Sequence, residues 1–325
     1  MFLRTSKEFG VLGCSPGTRG HKDTWAPGAL LAARLACRES GGAREDRGKP
    51  VVIPIRDANP TTRTAWITLA LIAANILVFL LWQPTLKTNS DTRSFFFYYC
   101  HALVPWEITH QTSLAEGGAA ARDAIEADVG PQLGPNGGAE LQRALQQRCP
   151  DKNVNLSILV AMFLHGGWLH IGGNMLYLWI FGNNVEDRLK PGLYLVFYLL
   201  GGLAATGLQL AIGPASTIPN LGASGAIAAV LGSYLVLFPH ARVYTLVIFF
   251  FITTIELPAV ALLGFWFILQ LFSGVGSVGA DVSGGVAYWA HVGGFAFGVA
   301  ITWLFFRNRG ERRDRRELPP RPDFF

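Results

Sequence analysis

A serine, two histidines and an asparagine are the residues of this chain best suited to chemistry. Ser224 stands in Gly222-Ala223-Ser224-Gly225, and His291 in Ala290-His291-Val292-Gly293-Gly294. A serine hydroxyl becomes a nucleophile when an imidazole within hydrogen-bond reach takes its proton. His170 and Asn174 lie four apart, so on a helix they share one face. An imidazole and an amide aimed at one point suit an oxyanion hole, which needs donors where negative charge develops. The Ser224 backbone N–H would add a third donor. Each piece also has a plainer explanation. Ser224, Ala228 and Gly232 repeat every four residues, as a helix-packing face of small residues does. His170, Asn174 and His291 would serve equally as interhelical hydrogen-bonders. His165, His170 and His291 can be imagined around zinc, but no His-Glu-x-x-His pattern or neighbouring carboxylate supports it. No metal and no cofactor is expected.

The elements that must position these residues are membrane helices. Of the 325 residues, 50% are hydrophobic and only 15% charged, against about 25% charged in soluble domains. Mean hydropathy is +0.32, and the apolar residues are clumped into stretches near the length that crosses a bilayer. Six spans are predicted: Ala65–Trp82, Leu169–Phe181, Leu193–Ile212, Ser224–Phe238, Pro258–Phe272 and Ala287–Phe306. Residues Val243–Leu257 are apolar but short, and read as a re-entrant or interfacial segment. Arg56, Arg63, Arg188, Lys190, Arg242 and the arginines from Arg307 to Arg321 then fall on one side, the cytoplasmic one by the positive-inside rule. The net charge of +5 is accounted for by that flank rather than by nucleic-acid binding. Spans two, four and six run in the same direction. Their first turns carry His170 with Asn174, then Ser224, then His291, all at one depth. Glycines at 294 and 298 form a face that lets two helix backbones approach, and so lets His291 reach Ser224.

The rest of the chain is organised around this bundle. Residues 1–51 mix Gly, Arg, Pro and Ser without periodicity and are expected to be disordered, with the working chain starting near Val51 or Val52. The long connection at about 84–155 reads as an enlarged first extracytoplasmic loop or small cap, with an amphipathic helix within Ala115–Gln147. Cys100 and Cys149 bracket that insertion and are a candidate disulfide. Closing such a loop would stabilise by roughly 4 kcal/mol in the chain-entropy model. The Gly-rich loops Gly213–Asn220 and Ser273–Gly285 are candidates for a mobile edge that admits water. Residues 307–325 form a basic tail.

Taken together, His165-Gly-Gly-Trp-Leu-His170-Ile-Gly-Gly-Asn174, Glu186-Asp187-Arg188-Leu189, Gly222-Ala-Ser224-Gly225 and Ala290-His291-Val292-Gly293-Gly294 resemble the rhomboid family of intramembrane serine proteases. The resemblance covers about residues 52–306. It implies an all-α membrane protein with a six-helix core and a Ser224–His291 dyad rather than a triad. It further implies an oxyanion hole from His170, Asn174 and the Ser224 amide, with His165, Gly222, Gly225 and Gly294 in support. The substrates it implies are transmembrane proteins, cut in or near their spans. The location expected is the cell membrane, with both termini cytoplasmic and the site opening to the extracytoplasmic side. Two positions depart from the family. Some bacterial members carry a tyrosine four residues after the nucleophile, beneath the imidazole, where this chain has Ala228. Many carry Trp-Arg in the first loop, where this chain has Trp106-Glu107.

With no acid in the dyad, His291 must be neutral to accept a proton, so activity should fall as pH drops through the imidazole range. The competing functions are a rhomboid-like membrane chaperone or scaffold without protease activity, and a transporter. Pseudoenzymes lose the serine or histidine, and both are here. No inverted repeat supports a transporter. Substrate identity and oligomeric state are not legible from the sequence.

Overall fold

The computed structural model describes residues 51–84, 91–134, 136–248, 252–277 and 287–306. The proposed disordered extension (Val51 apart), the basic tail and most of Ser273–Gly285 lie outside them. The chain divides into two compact units. One is built on Gln83–Val160 and Ala215–Pro219, the other on Val52–Trp82, Ala161–Pro214 and Asn220–Phe325.

The second unit is predominantly helical, and its longer helices are strongly apolar. Helix α1 (Trp66–Leu77) continues through a π-helical turn to Trp82. The first unit supplies α2 to α6, given below, and most of α7 (Val154–Ala161). Helix α8 (Trp168–Tyr177) runs through a second π turn into α9 (Asn183–Leu189). Then come α10 (Pro191–Ile212), α11 (Ser224–Leu237), α12 (Ala259–Ser277) and α13 (Tyr288–Phe305). Among the described residues, α10, α12 and α13 are long and apolar enough to cross a membrane, and Trp66–Trp82 and Ser224–Leu237 are shorter apolar helices. Large apolar side chains stay exposed on the outer faces, among them Val196, Leu200, Phe265, Phe272 and Trp303. In water such faces would be a liability; in lipid they are solvated. The inward faces bury Leu178, Phe181, Tyr194, Tyr198, Val230 and Tyr234 in one core.

The central helix, α11, is buried along most of its length, and small residues make that possible. A Cβ on Gly294 would run into the Gly225 carbonyl oxygen, and one on Gly298 into that of Ala229. From the other side, a Cβ on Gly232 would meet the Phe295 carbonyl. Backbones α11 and α13 thus touch directly, and the Thr302 hydroxyl donates to Ser233 Oγ at 2.8 Å across the same seam. Without a hydrophobic force between helices in lipid, this close packing and interhelical hydrogen bonding are what hold them together.

Two features depart from an all-α reading. Strands β2 (Arg242–Ile248) and β3 (Ile252–Pro258) form an antiparallel hairpin, with Val243 opposite Leu257 and Thr245 opposite Ile255. Strand β1 (Val51–Asp57) pairs with β2 to make a three-stranded sheet in the order β1-β2-β3. The apolar segment expected to be re-entrant or interfacial is therefore a hairpin. Its β-branched content (Val, Thr, Ile) favours a pleated strand, and on β2 the buried Val243 and Thr245 alternate with less buried neighbours. Pro54 sits on an edge strand, where a missing N–H is tolerated. Helix α12 also runs five residues past Phe272, and there Gly274 packs against the Trp289 indole, which lies 3.2 Å from where its Cβ would be.

Polar clamps close the end of the bundle where this sheet attaches. The Glu186 carboxylate accepts from the Ile67 and Thr68 N–H groups at 3.0 and 2.7 Å and from the Thr68 hydroxyl at 2.8 Å. It thereby caps α1, whose first N–H groups have no partner within the helix. Buried Asp57 accepts from Tyr234 Oη and Asn184 Nδ2, each at 2.7 Å, tying β1 to α11 and α9.

The first unit is a small helical domain. Its elements are α2 (Asp91–His101), α3 (Pro105–His110), α4 (Gly118–Asp128), the short α5 (Gly130–Leu133) and α6 (Gly137–Arg148). Phe96, Trp106, Leu114, Ile125, Leu141 and Leu145 form its core. A disulfide joins Cys100 at the end of α2 to Cys149 just past α6. Inside lies an ion pair between Glu107 and Lys152, side chains 3% and 2% exposed. Glu107 also accepts from the Leu114 N–H at 2.9 Å, and Lys152 donates to the Tyr99 carbonyl at 2.8 Å. Burial pushes the Glu107 carboxyl up and the Lys152 ammonium down, while each partner's charge pulls the other back. Removing one charge strands the other, at about 3–5 kcal/mol. Lys152→Met is therefore expected to unfold this unit at markedly lower temperature, with the Glu107→Gln/Lys152→Met double variant close to wild type. Thermal melts of the three proteins check this; equal melts for single and double variants would refute it.

The segment 215–219 is pinned. Asp128 accepts from the Thr217 N–H at 2.6 Å, from its hydroxyl at 3.0 Å and from Ser216 Oγ at 3.2 Å. The Ser216 carbonyl accepts from the Trp106 N–H at 2.9 Å, and Thr217 is fully buried. A loop expected to be a mobile edge is thus anchored through a carboxylate that sequence reading had no reason to pair with it.

Candidate active site

Ser224 is the first residue of α11, and His291 lies in the first turn of α13. The glycine seam sets the distance between them, so that Ser224 Oγ and His291 Nε2 are 2.7 Å apart. Both residues are half-buried. The Ser224 N–H is one of the first-turn donors that have no acceptor within their own helix.

The approach to Ser224 is shaped by Gly222. It has φ +125°, a region that side-chain-bearing residues rarely adopt, and its N–H donates to the Ala161 carbonyl at 2.8 Å. A Cβ there would sit 2.8 Å from His170 Nε2 and 3.6 Å from Ser224 Oγ. The space that glycine leaves is therefore shared by the serine hydroxyl and the imidazole of His170. The Gly166 N–H donates to His170 Nδ1 at 3.2 Å. A ring nitrogen that accepts carries no proton, so in neutral His170 the other nitrogen, Nε2, is the N–H donor, and it is the one beside Gly222.

Asn174, one turn further along α8, is buried, and its Nδ2 has no hydrogen-bond partner among the described residues. A buried amide N–H group left without a partner costs about 1–3 kcal/mol. Fully buried His165 packs edge-on against His170, ring centroids 5.1 Å apart. The structure thus brings together Ser224, His291, His170, Gly222, Gly225 and Gly294, with His165 behind His170. Cys100 and Cys149 belong to the other unit and are joined there. Among the described residues no group of three or more His, Cys, Asp or Glu could hold a metal ion.

Sequence reasoning missed two side chains at this site, both on α12. Gln270 is buried, with its Oε1 2.8 Å from His291 Nδ1. The Trp266 ring lies beside the imidazole, with centroids 5.8 Å apart and planes tilted by 35°. A lone amide inside the apolar run Ala259–Ser277 is itself a signal, since polar groups within membrane spans are costly. The start of α13 is fixed in addition by the Ala290 N–H, which donates to Gln209 Oε1 at 3.2 Å.

A serine–imidazole pair inside an apolar helical bundle, with candidate donors beside it, defines a class of membrane protein, and comparison with known proteins gives the family. Residues 153–308 match the Rhomboid domain. Rhomboid protein 1, mitochondrial, of Saccharomyces cerevisiae is 30% identical over 166 residues, covering 50% of this chain and 45% of that protein. RHOMBOID-like protein 12, mitochondrial, of Arabidopsis thaliana is 32% identical over 167 residues, covering 46% of each. Rhomboid protease GluP of Bacillus subtilis is 30% identical over 128 residues, covering 39% of this chain and 24% of that one. Residues 153–308 carry a rhomboid domain, and the relatives matched are rhomboid proteins. The matches span less than half the length of these relatives.

Proposed function

We propose that this chain is an intramembrane serine endopeptidase that cuts membrane-protein substrates in or near their transmembrane segments. The observation that carries the reading is the 2.7 Å contact between Ser224 Oγ and His291 Nε2. In the proposed reaction the Ser224 hydroxyl donates its proton to His291 Nε2 as Oγ bonds to the scissile carbonyl carbon. The C=O electron pair moves onto oxygen, and the oxyanion accepts from the Ser224 N–H, His170 Nε2–H and Asn174 Nδ2. His291 then protonates the leaving amine as the C–N bond breaks. Water, deprotonated by His291, releases the acyl group and restores the serine. Desolvated, preplaced donors of this kind supply much of the rate in acyl transfer.

In this reading residues 52–306 are the protease domain. The three long and two shorter apolar helices, with α8 and its π turn, make six spans in this reading, and 84–155 is an extracytoplasmic insertion. The arginine flanks favour both termini on one side of the membrane and a site opening to the opposite face.

The test is cleavage of a single-span substrate by purified protein in liposomes, wild type against Ser224→Ala. Equal cleavage would defeat the proteolytic reading. Asn174→Ala is expected to lower kcat about 10²–10³-fold with little change in KM, since its amide is engaged by the oxyanion and not by the ground-state substrate. A loss confined to KM would remove Asn174 from the oxyanion hole.

A further inference from the structure

We infer that Gln270 is the positioning residue of the catalytic histidine, its side-chain oxygen accepting the Nδ1 hydrogen of His291. This rests on the protease reading. A base needs its lone pair on the nitrogen that faces the nucleophile. His291 Nε2 faces Ser224 Oγ at 2.7 Å, and Nδ1 faces Gln270 Oε1 at 2.8 Å. An amide oxygen only accepts, so Nδ1 bears the hydrogen and Nε2 receives the serine proton. The reverse tautomer would point an N–H at the hydroxyl and leave no base.

The arrangement fills a gap on α11. Ala228, one turn after the nucleophile, carries no ring to lie under the imidazole. Support comes instead from α12, where Trp266 and Gln270 are four residues apart and so lie on one face. The indole lies beside the imidazole, and the amide fixes its rotation about the Cβ–Cγ bond. Two contacts from one helix thus define the ring, as a third group orients the base in other hydrolases. Here that group is neutral, as suits a site in an apolar bundle where a buried carboxylate would be costly to ionise.

Three Gln270 variants, Ser224→Ala and the wild type decide the matter, assayed for kcat and KM on the liposome substrate with thermal midpoints recorded. Gln270→Met keeps the length and removes the acceptor; kcat is expected to fall about 10–10²-fold, the scale of a misplaced catalytic group, with KM and midpoint near wild type. Gln270→Glu restores an oxygen that accepts and is expected to recover kcat to within a few-fold. Gln270→Asn withdraws the amide by one methylene and should lose kcat as the Met variant does, which keeps the test open if the Met variant does not fold. Wild-type kcat in the Met or Asn variant beside inactive Ser224→Ala overturns the positioning role and leaves the protease reading standing. So does a folded Glu variant as slow as the Met one, or a loss that appears only in KM. Cleavage by Ser224→Ala at the wild-type rate overturns both.

Discussion

Ser224→Ala and His291→Ala are each expected to abolish cleavage, and the double variant to be no slower than either alone. In a serine hydrolase the nucleophile and base act as one unit. Removing either costs about 10⁶-fold in kcat, because the serine is a poor nucleophile without its base and the base has nothing to activate without the serine. The residual rate comes from the oxyanion donors and from substrate binding. Substrate affinity should be unchanged in all three variants, since the hydroxyl and imidazole that stand 2.7 Å apart gain their strongest interactions in the transition state. Cleavage rates with a single-span substrate in liposomes, and binding measured separately with the inactive proteins, check both parts. A double variant slower than either single variant by the product of their losses would mean that the two residues act independently.

The second large effect is steric. Gly294→Ala places a methyl group against the Gly225 carbonyl oxygen, one residue from Ser224. The methyl and the oxygen cannot share that space, so α13 must move away from α11. A displacement on the order of 1 Å of a reacting group costs about 10²-fold in rate, and overpacking costs about 1–3 kcal/mol in stability. Gly294→Ala is therefore expected to lose both activity and thermal midpoint. Gly298→Ala, which meets the Ala229 carbonyl further along the seam, should act in the same direction. Gly264→Ala on α12 is the control, because nothing lies within 4 Å of its would-be Cβ, and it should leave activity and midpoint unchanged. Indistinguishable midpoints and rates for Gly294→Ala and Gly264→Ala would show that the seam yields without consequence.

The site was legible where chemistry interrupts an apolar background. Ser224, His291 and His170 are polar residues in the first turns of helices, with Asn174 one turn after His170, and Gly294 and Gly298 repeat at a helical period. Those signals survive in one dimension. The support for His291 does not, because Gln270 and Trp266 meet it only once α12 lies against α13, and nothing in the spacing of one helix specifies its neighbour. Ala228 shows the limit from the other side: the sequence reveals that a ring is missing there without saying what replaces it. The hairpin at β2 and β3 was hidden because its apolar content resembles that of the spans, while the period-two burial of Val243 and Thr245 covers too few residues to outweigh composition. In the first unit the Ala- and Glu-rich composition pointed to one amphipathic helix within Ala115–Gln147, where the structure has α4, α5 and α6. The Glu107–Lys152 pair was not, since each residue alone reads as an ordinary surface charge.

The pinning of Thr217 by Asp128 sets an order of events during synthesis. Their separation along the chain is 89 residues, and at about 5–20 residues per second the ribosome takes roughly 4–18 s to cover it. Helices α2 to α6 are complete long before Thr217 exists. For those seconds the Asp128 carboxylate lacks its Ser216 and Thr217 donors, which follow α10 in the chain. The contact that pins this loop is therefore completed only by the five-residue segment after α10, with α11 and Ser224 at its head following in the chain.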